Sequence, residues 1–286
     1  MNPDSPSEIR AVLEERGLAL KKRWGQNFLV NRGARERLVT LLDMHANETV
    51  WEIGPGLGSM TRLLTEQAAR VLAFEVDHGL CRFLSEAFSG VPSFTLVPGD
   101  FLETWKAAVS AYGPPDLLLG NLPYRTASLM IADLIEGGMR PRVVIVTVQR
   151  ELAQRMASGP GTKTYSSFSV LCQSCFHVTD RGNLQPGSFY PVPEVVSSIV
   201  EMRPKADAPD LRTLLVLSAL CRSLFSSRRK TIRNNLADIA VGPGVSVEAL
   251  KTVLAGQGID LGTRAEQLPP DLFLRLARSL TGLSSP

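Results

Sequence analysis

Short aliphatic runs alternating with longer amphipathic stretches constrain this chain more than any other feature. Thr49–Ile53, Val71–Glu75, Phe94–Val97, Asp116–Leu119 and Val143–Val148 are rich in Val, Leu and Ile and read as strands buried on both faces. Between them, Met60–Ala69, His78–Phe88, Phe101–Ser110 and Ala127–Glu136 repeat apolar residues at helical spacing. Parallel strands need long crossovers, and helices in that role cover the sheet, so the pattern predicts a parallel α/β sheet with helices on both faces. Ser169–Val178 and Val196–Met202 read as two further strands, with no long helix between them. As an antiparallel pair at the edge they make the sheet Rossmann-like and seven-stranded, unlike a plain dinucleotide fold.

The stretch Arg203–Pro209 is polar and proline-bearing, as linkers are. After it only helical patterns occur, at Leu211–Leu224, Arg228–Ile239, Val247–Ala255 and Pro270–Leu280. The expected organisation is an α/β domain over 1–205, including an N-terminal extension 1–30 with a helix at Ser7–Arg16, and a small all-helical domain over 206–286. The run Val143–Val148, aliphatic but for Thr147, is far short of the roughly 20 apolar residues a membrane span needs. The N-terminal decapeptide MNPDSPSEIR has no apolar core of a secretory signal, so a cytoplasmic protein is expected.

The four cysteines, Cys81, Cys172, Cys175 and Cys221, are too few and scattered for a disulfide framework. Cys172 and Cys175 form a CxxC, but no second pair exists and His177 is the only histidine near it. On the expected strand the two sulfurs point to opposite faces, so no metal site is expected. Net charge is only +3, yet no acidic residue lies between Leu211 and Ala237, a stretch holding Arg212, Arg222, Arg228, Arg229, Lys230 and Arg233. A second acid-free stretch, Gly17–Arg35, carries Lys21, Lys22, Arg23, Arg32 and Arg35. Two such clusters on a near-neutral chain favour a phosphate backbone as partner.

The chemistry concentrates where strands end. Glu52-Ile53-Gly54-Pro55-Gly56-Leu57-Gly58 closes the first strand with glycines that let backbone approach a ligand. Its third glycine comes one residue early for the pyrophosphate spacing GxGxxG, which disfavours a nicotinamide cofactor. Glu75 ends the second strand, placed to accept hydrogen bonds from ribose hydroxyls, and Asp100 follows the third, placed to accept one from an adenine amine or to cap the helix from Phe101. Asn121-Leu122-Pro123-Tyr124 follows the fourth strand. A purine amine is a poor nucleophile because its lone pair is delocalised into the ring. An asparagine oxygen and a backbone carbonyl can accept its two hydrogens and favour the reactive, pyramidal form. The proline shapes the turn, and the tyrosine offers a face for stacking a base.

These blocks, in this order, resemble the ribosomal RNA adenine dimethyltransferase family in its bacterial small-subunit (16S) branch, over Lys21 to Leu268. Gly25-Gln26-Asn27-Phe28-Leu29 resembles the family's leading motif, Phe189-Tyr190-Pro191-Val192-Pro193 with Val195 and Ser197 its F-x-P-x-P-x-V-x-S block, and Arg228-Arg229-Lys230-Thr231, Asn235-Leu236 and Arg264–Leu268 its C-terminal motifs. The resemblance implies a seven-stranded S-adenosylmethionine methyltransferase sheet and a cofactor site of Gln26, Asn27, Leu29, Glu52, Gly54, Gly56, Glu75, Asp100, Phe101 and Asn121. It implies catalysis by Asn121, Leu122, Pro123 and Tyr124, with Phe189 stacking on the base opposite Tyr124. It also implies RNA contact through Arg222, Arg228, Arg229, Lys230 and Arg233, and 16S rRNA in an immature 30S subunit as the partner of a monomeric enzyme. Arg125 departs from the pattern, standing where a small polar residue is usual; Trp24 and Trp51 also replace commoner residues. The large-subunit resistance dimethyltransferases share the core motifs, but the Arg264–Leu268 block and long helical tail favour the small-subunit branch. The complete set of catalytic motifs argues against a non-catalytic RNA-binding relative.

Overall fold

A computed structural model describes residues 1–20, 24–236 and 246–283. The chain begins with α1 (Pro6–Glu15), β1 (Phe28–Leu29) and α2 (Arg32–Leu41). It then alternates through β2 (Thr49–Ile53), α3 (Ser59–Thr65), β3 (Arg70–Glu75), α4 (His78–Ala87), β4 (Phe94–Pro98), α5 (Phe101–Tyr112), β5 (Leu117–Asn121), α6 (Ala127–Glu136) and β6 (Val143–Gln149). There follow α7 (Arg150–Ala157), α8 (Ser167–Cys175), β7 (Phe176–Leu184), β8 (Phe189–Tyr190) and β9 (Ser197–Pro204). The last helices are α9 (Leu211–Leu224), α10 (Ile232–Leu236), α11 (Val247–Gly256) and α12 (Pro270–Leu283).

Seven strands form one sheet in the order β4-β3-β2-β5-β6-β9-β7. The pairs among β4, β3, β2, β5 and β6 are parallel, whereas β9 runs antiparallel to β6, with Val146 opposite Val200. The strands β2, β3, β5 and β6 are buried because both faces are covered: Val50, Val71, Leu117, Leu119, Val143 and Ile145 are each 0% exposed. The expectation of a strand buried on both faces fails at β4, which is only half-buried because it lies at the edge of the sheet. Several helix starts are set by side chains that accept otherwise orphaned amide hydrogens, namely Asn31 for α2, Asp77 for α4, Asp100 for α5, Asp210 for α9 and Ser246 for α11. The chain separates into two compact units: Met1–Met130 with Pro141–Ala153 and Thr179–Arg203, and Ile131–Arg140 with Gln154–Val178 and Pro204–Pro286. In the second, α8, α9 and α12 pack together around Leu214, Leu217, Leu220 and Phe273.

One expected strand is a helix for most of its length. The run Ser169–Val178 forms α8 up to Cys175, and β7 starts only at Phe176. The Ser166 N–H bonds to Ser169 Oγ at the helix start, a local closure that competes with extended backbone. Consequently Cys172 and Cys175 lie three residues apart on one helix, not on opposite faces, and both are buried. Burial pushes the Cys175 thiol up to about 11 and the Cys172 thiol higher still, so both are held as thiols. The expected helix Arg228–Ile239 is helical only over Ile232–Leu236 among the described residues; positions 237–239, like Lys21, Lys22 and Arg23, lie outside them. No helix among the described residues is long and apolar enough to cross a membrane.

Gly58 precedes α3 in the left-handed region at φ 76°, and an added Cβ there would lie 2.5 Å from the Phe88 ring and 3.2 Å from Leu84. Gly58→Ala therefore adds left-handed strain, about 1–2 kcal/mol, to a steric clash. A loss of about 2–4 kcal/mol in denaturant unfolding is expected.

Candidate active site

In the sheet order, β2 and β5 are neighbours from which the chain winds outward in opposite directions. The crevice outside the carboxyl ends of such a pair is where open α/β sheets bind ligands. Here it is a cavity of about 370 Å³, lined by the loop after β2 (Gly54, Pro55, Gly56), Glu75, Asp100 and Asn121 at and beyond the ends of β3, β4 and β5, and residues 24–29. That volume lies within the roughly 300–1,000 Å³ range of small-molecule pockets.

Gly56, at φ 59°, meets the ring of Phe28, and a Cβ here would lie 2.8 Å from Cε1. This close approach explains why the loop needs glycine. Glu75 is 5% exposed and ties the loop to the next turn: Oε2 accepts the Gly56 N–H at 3.2 Å and Oε1 the Asp77 N–H at 2.9 Å. Burial nevertheless pushes its carboxyl up to about 7. Asp100 caps α5 by accepting the Leu102 N–H at 2.9 Å, so its alternative reading as a cap is realised while it also lines the cavity. Gln26 donates weakly to Asp77 at 3.4 Å, and Asn27 donates to the Gly25 carbonyl at 3.1 Å.

Asn121 is held from both sides. Its Nδ2 donates to the Asn27 backbone carbonyl at 2.7 Å, while its Oδ1 accepts from the hydroxyl of Thr147, which is 0% exposed on the neighbouring strand β6. These two bonds fix which end of the amide is oxygen. The backbone of Leu122 is also anchored, its N–H donating to the Thr147 carbonyl at 3.1 Å. The Tyr124 hydroxyl and the Ser197 hydroxyl share a hydrogen bond of 2.6 Å, which sets the tilt of the half-buried ring, and burial raises the phenol above its usual range.

Of the expected site residues, Gln26, Asn27, Leu29, Gly54, Gly56, Glu75, Asp100, Phe101, Asn121, Pro123 and Tyr124 are brought together around the cavity. Three are not on its wall. Glu52 is 0% exposed beneath the loop, where Oε2 accepts the Thr61 hydroxyl at 2.6 Å and Oε1 has no partner. The Leu122 side chain is turned inward, against the position a Gly120 Cβ would take. Phe189 is 2% exposed in the core cluster with Leu29 and Leu38, because the β1–β8 ladder pairs Phe189 with Leu29 and leaves Tyr190 opposite Phe28. The F-x-P-x-P-x-V-x-S block instead reaches the site through its last residue, Ser197. The sequence reading missed Thr147, whose one signal is a lone hydroxyl in an otherwise aliphatic strand, and also Phe28, Met130 and Gln149.

The basic residues divide. Arg228 donates from Nε and Nη2 to Glu266 Oε2 at 3.0 and 2.7 Å and from Nη1 to the Lys163 carbonyl, while Arg222 pairs with Glu136 at 2.9 Å. Arg222 and Arg228 are therefore engaged within the protein although exposed, and Arg229, Lys230 and Arg233 are exposed as well.

A glycine loop followed by two strand-end acids suits a nucleoside better than a dinucleotide, and a fixed amide oxygen beside an aromatic face suits an amine-bearing base. Such a protein is a Rossmann-like nucleic-acid amine methyltransferase. The particular family follows from its relatives: residues 17–282 match the ribosomal RNA adenine dimethylases, and the chain belongs to that family. It is an rRNA adenine methyltransferase. It is 37% identical over 278 residues to the ribosomal RNA small subunit methyltransferase A of Treponema denticola, covering 96% of this chain and 94% of that one. With the same-named protein of Treponema pallidum (strain Nichols) it shares 38% identity over 283 residues, 99% and 98% of the two chains. Among solved structures, its fold is similar to a dimethyladenosine transferase from Plasmodium falciparum (TM-score 0.71, 23% identity, 86% of this chain and 94% of that one). It is also similar to the 23S rRNA methyltransferase ErmE (TM-score 0.64, 24% identity, 88% and 98%).

Desolvation raises the carboxyl of Glu52 from the usual 4.5 to about 7. The unfolded chain releases this proton first, so stability falls as pH rises from about 4.5 to 7 and is flat above. The cost at neutral pH is on the order of 2–3 kcal/mol. Glu52→Gln should raise the thermal midpoint at pH 8 and flatten its decline between pH 5 and 7, with Glu75 maintaining part of the slope. A variant less stable at pH 8 than the parent would show that the ionised form is compensated in the folded state.

Proposed function

We propose that this enzyme transfers methyl groups from S-adenosylmethionine to the exocyclic amines of two adjacent adenines near the 3′ end of 16S rRNA. It acts in the cytoplasm, as a monomer, on an immature 30S subunit. The near full-length similarity to proteins named small subunit methyltransferase A supports the choice of ribosomal subunit. The observation that carries the chemistry is the fixed amide of Asn121.

The cavity residues fit the cofactor. Glu75 would accept from ribose hydroxyls and Asp100, also on the cavity wall, from an adenine amine, while the Gly54–Gly56 backbone permits a close approach bounded by Phe28. When bound, S-adenosylmethionine supplies an electrophilic methyl group on a sulfonium sulfur. The protein's part is to present the amine. Asn121 Oδ1 keeps one acceptor site for an amine hydrogen after Thr147 has taken the other, and the Leu122 carbonyl accepts the second hydrogen. Both acceptors draw positive charge away from the nitrogen as it develops. Tyr124, its hydroxyl tethered to Ser197, stacks on the flipped base, a contact worth about 1–3 kcal/mol. The amine proton is lost to solvent afterwards, so no strong base is required. RNA contact is assigned to the exposed residues Arg222, Arg228, Arg229, Lys230 and Arg233, with Arg222 and Arg228 held in place by Glu136 and Glu266.

Methyl transfer from labelled cofactor to immature 30S and to 50S particles tests the reading, with dimethyladenosine expected in the 30S RNA alone. Label in 50S would assign the enzyme to the large-subunit branch, and none in either would remove the catalytic reading. Within the site, Asn121→Ala should lower kcat on the order of 10²- to 10³-fold. Thr147→Val should lower kcat by a smaller factor with cofactor affinity unchanged, and Thr147→Ser should restore it. Equal loss in both Thr147 variants would make the hydroxyl irrelevant to the amide.

A further inference from the structure

The cavity wall carries two carboxylates, Glu75 and Asp100, and, among the described residues, a single cationic side chain, Arg125. Arg125 follows the stacking tyrosine directly and is exposed. It forms no ion pair or hydrogen bond with any described residue, in contrast to Arg142, Arg222 and Arg228, whose guanidinium groups are neutralised by Glu48, Glu136 and Glu266. It also sits just before α6, a ten-residue helix opening at Ala127, where the amides of Thr126 and Ala127 turn back to the Pro123 carbonyl. The positive end of the helix dipole and an uncompensated guanidinium thus coincide at one point of the rim.

We propose that Arg125 is an RNA phosphate-binding residue, holding the backbone phosphate beside the adenine that enters the cavity. The proposal rests on the RNA methyltransferase reading above. An adenine seated against Tyr124 brings its own backbone to the rim, and the only anionic groups that backbone carries are phosphates. A guanidinium binds a phosphate through paired N–H donors, fixing position and orientation together. Its work is to hold the backbone of the strand at the rim, so that the amine of whichever adenine has entered faces Asn121. Arg125 does not touch the amine and is a positioning residue.

The experiment measures equilibrium binding of a single-stranded RNA oligonucleotide containing the adjacent adenines, as a function of salt, to the full-length protein. A second oligonucleotide carries a neutral methylphosphonate next to the target adenine. Arg125→Gln should reduce the slope of log K against log salt by about 0.7, one phosphate contact on a single strand, and leave S-adenosylmethionine affinity unchanged. Arg125→Lys should recover the slope. The methylphosphonate should weaken binding to the parent protein and have no effect on Arg125→Gln. On 30S particles, Arg125→Gln should raise KM for the particle more than it lowers kcat. Identical slopes in parent and Gln variant, or equal sensitivity of both to the methylphosphonate, would overturn the assignment. Absence of methyl transfer by the parent protein to any ribosomal particle would instead defeat the functional reading on which it rests.

Discussion

The amide of Asn121 is where three distant pieces of chain are tied together. Its nitrogen is bound to the backbone of Asn27 in the N-terminal segment, its oxygen to Thr147 on β6, and its own backbone completes β5. An asparagine at a strand end is free to rotate by half a turn about its last torsion, exchanging donor for acceptor. Two partners of opposite kind remove that freedom. The parallel pairing of β5 and β6, which sets Asn121 opposite Thr147, is therefore what turns a strand-ending turn into an acceptor of defined direction. The buried aliphatic residues of both strands maintain that register.

The floor of the site is organised by charge kept away from water. Glu75 gathers the amides of Gly56 and Asp77, shaping the glycine loop before any ligand arrives; these bonds favour its ionised form, but burial outweighs them and raises its carboxyl. Glu52 lies deeper, with one oxygen satisfied by Thr61 and the other unpartnered. Two raised carboxyls under one loop leave the folded state less stable than an apolar equivalent would be. Such pairs concentrate where function requires polarity that packing alone would exclude.

The parallel sheet was legible because its strands are aliphatic throughout and its crossovers carry clear helical periodicity; the reading of Ala127–Glu136 coincides with α6. Segment 169–178 was misread because a helix buried on all sides shows no polar face, and its start is closed by Ser166 and Ser169 in place of a recognisable acid. The two-residue strands β1 and β8 have too few residues to show any period. The site was legible where chemistry forces a residue type, as at Gly56, Glu75 and Asn121. It was obscure where a residue acts through another. Nothing in a run of Val and Ile announces that Thr147 addresses Asn121, and a motif phenylalanine gives no sign that its ladder partner Leu29 draws it into the core.

The short ladder of β1 with β8 has a consequence for how the protein is born. Phe28, which bounds the glycine loop, is paired with Tyr190, and Tyr124 is tethered to Ser197 on β9, itself joined to β6. A nascent chain that has emerged through β6 already holds the central parallel strands, with nothing yet to brace either aromatic. Contacts of such long sequence separation form late. The cavity is thus completed only after β9 has been made, well behind the central sheet, and a truncated product ending before Ser197 retains a partial sheet without the braces of either aromatic.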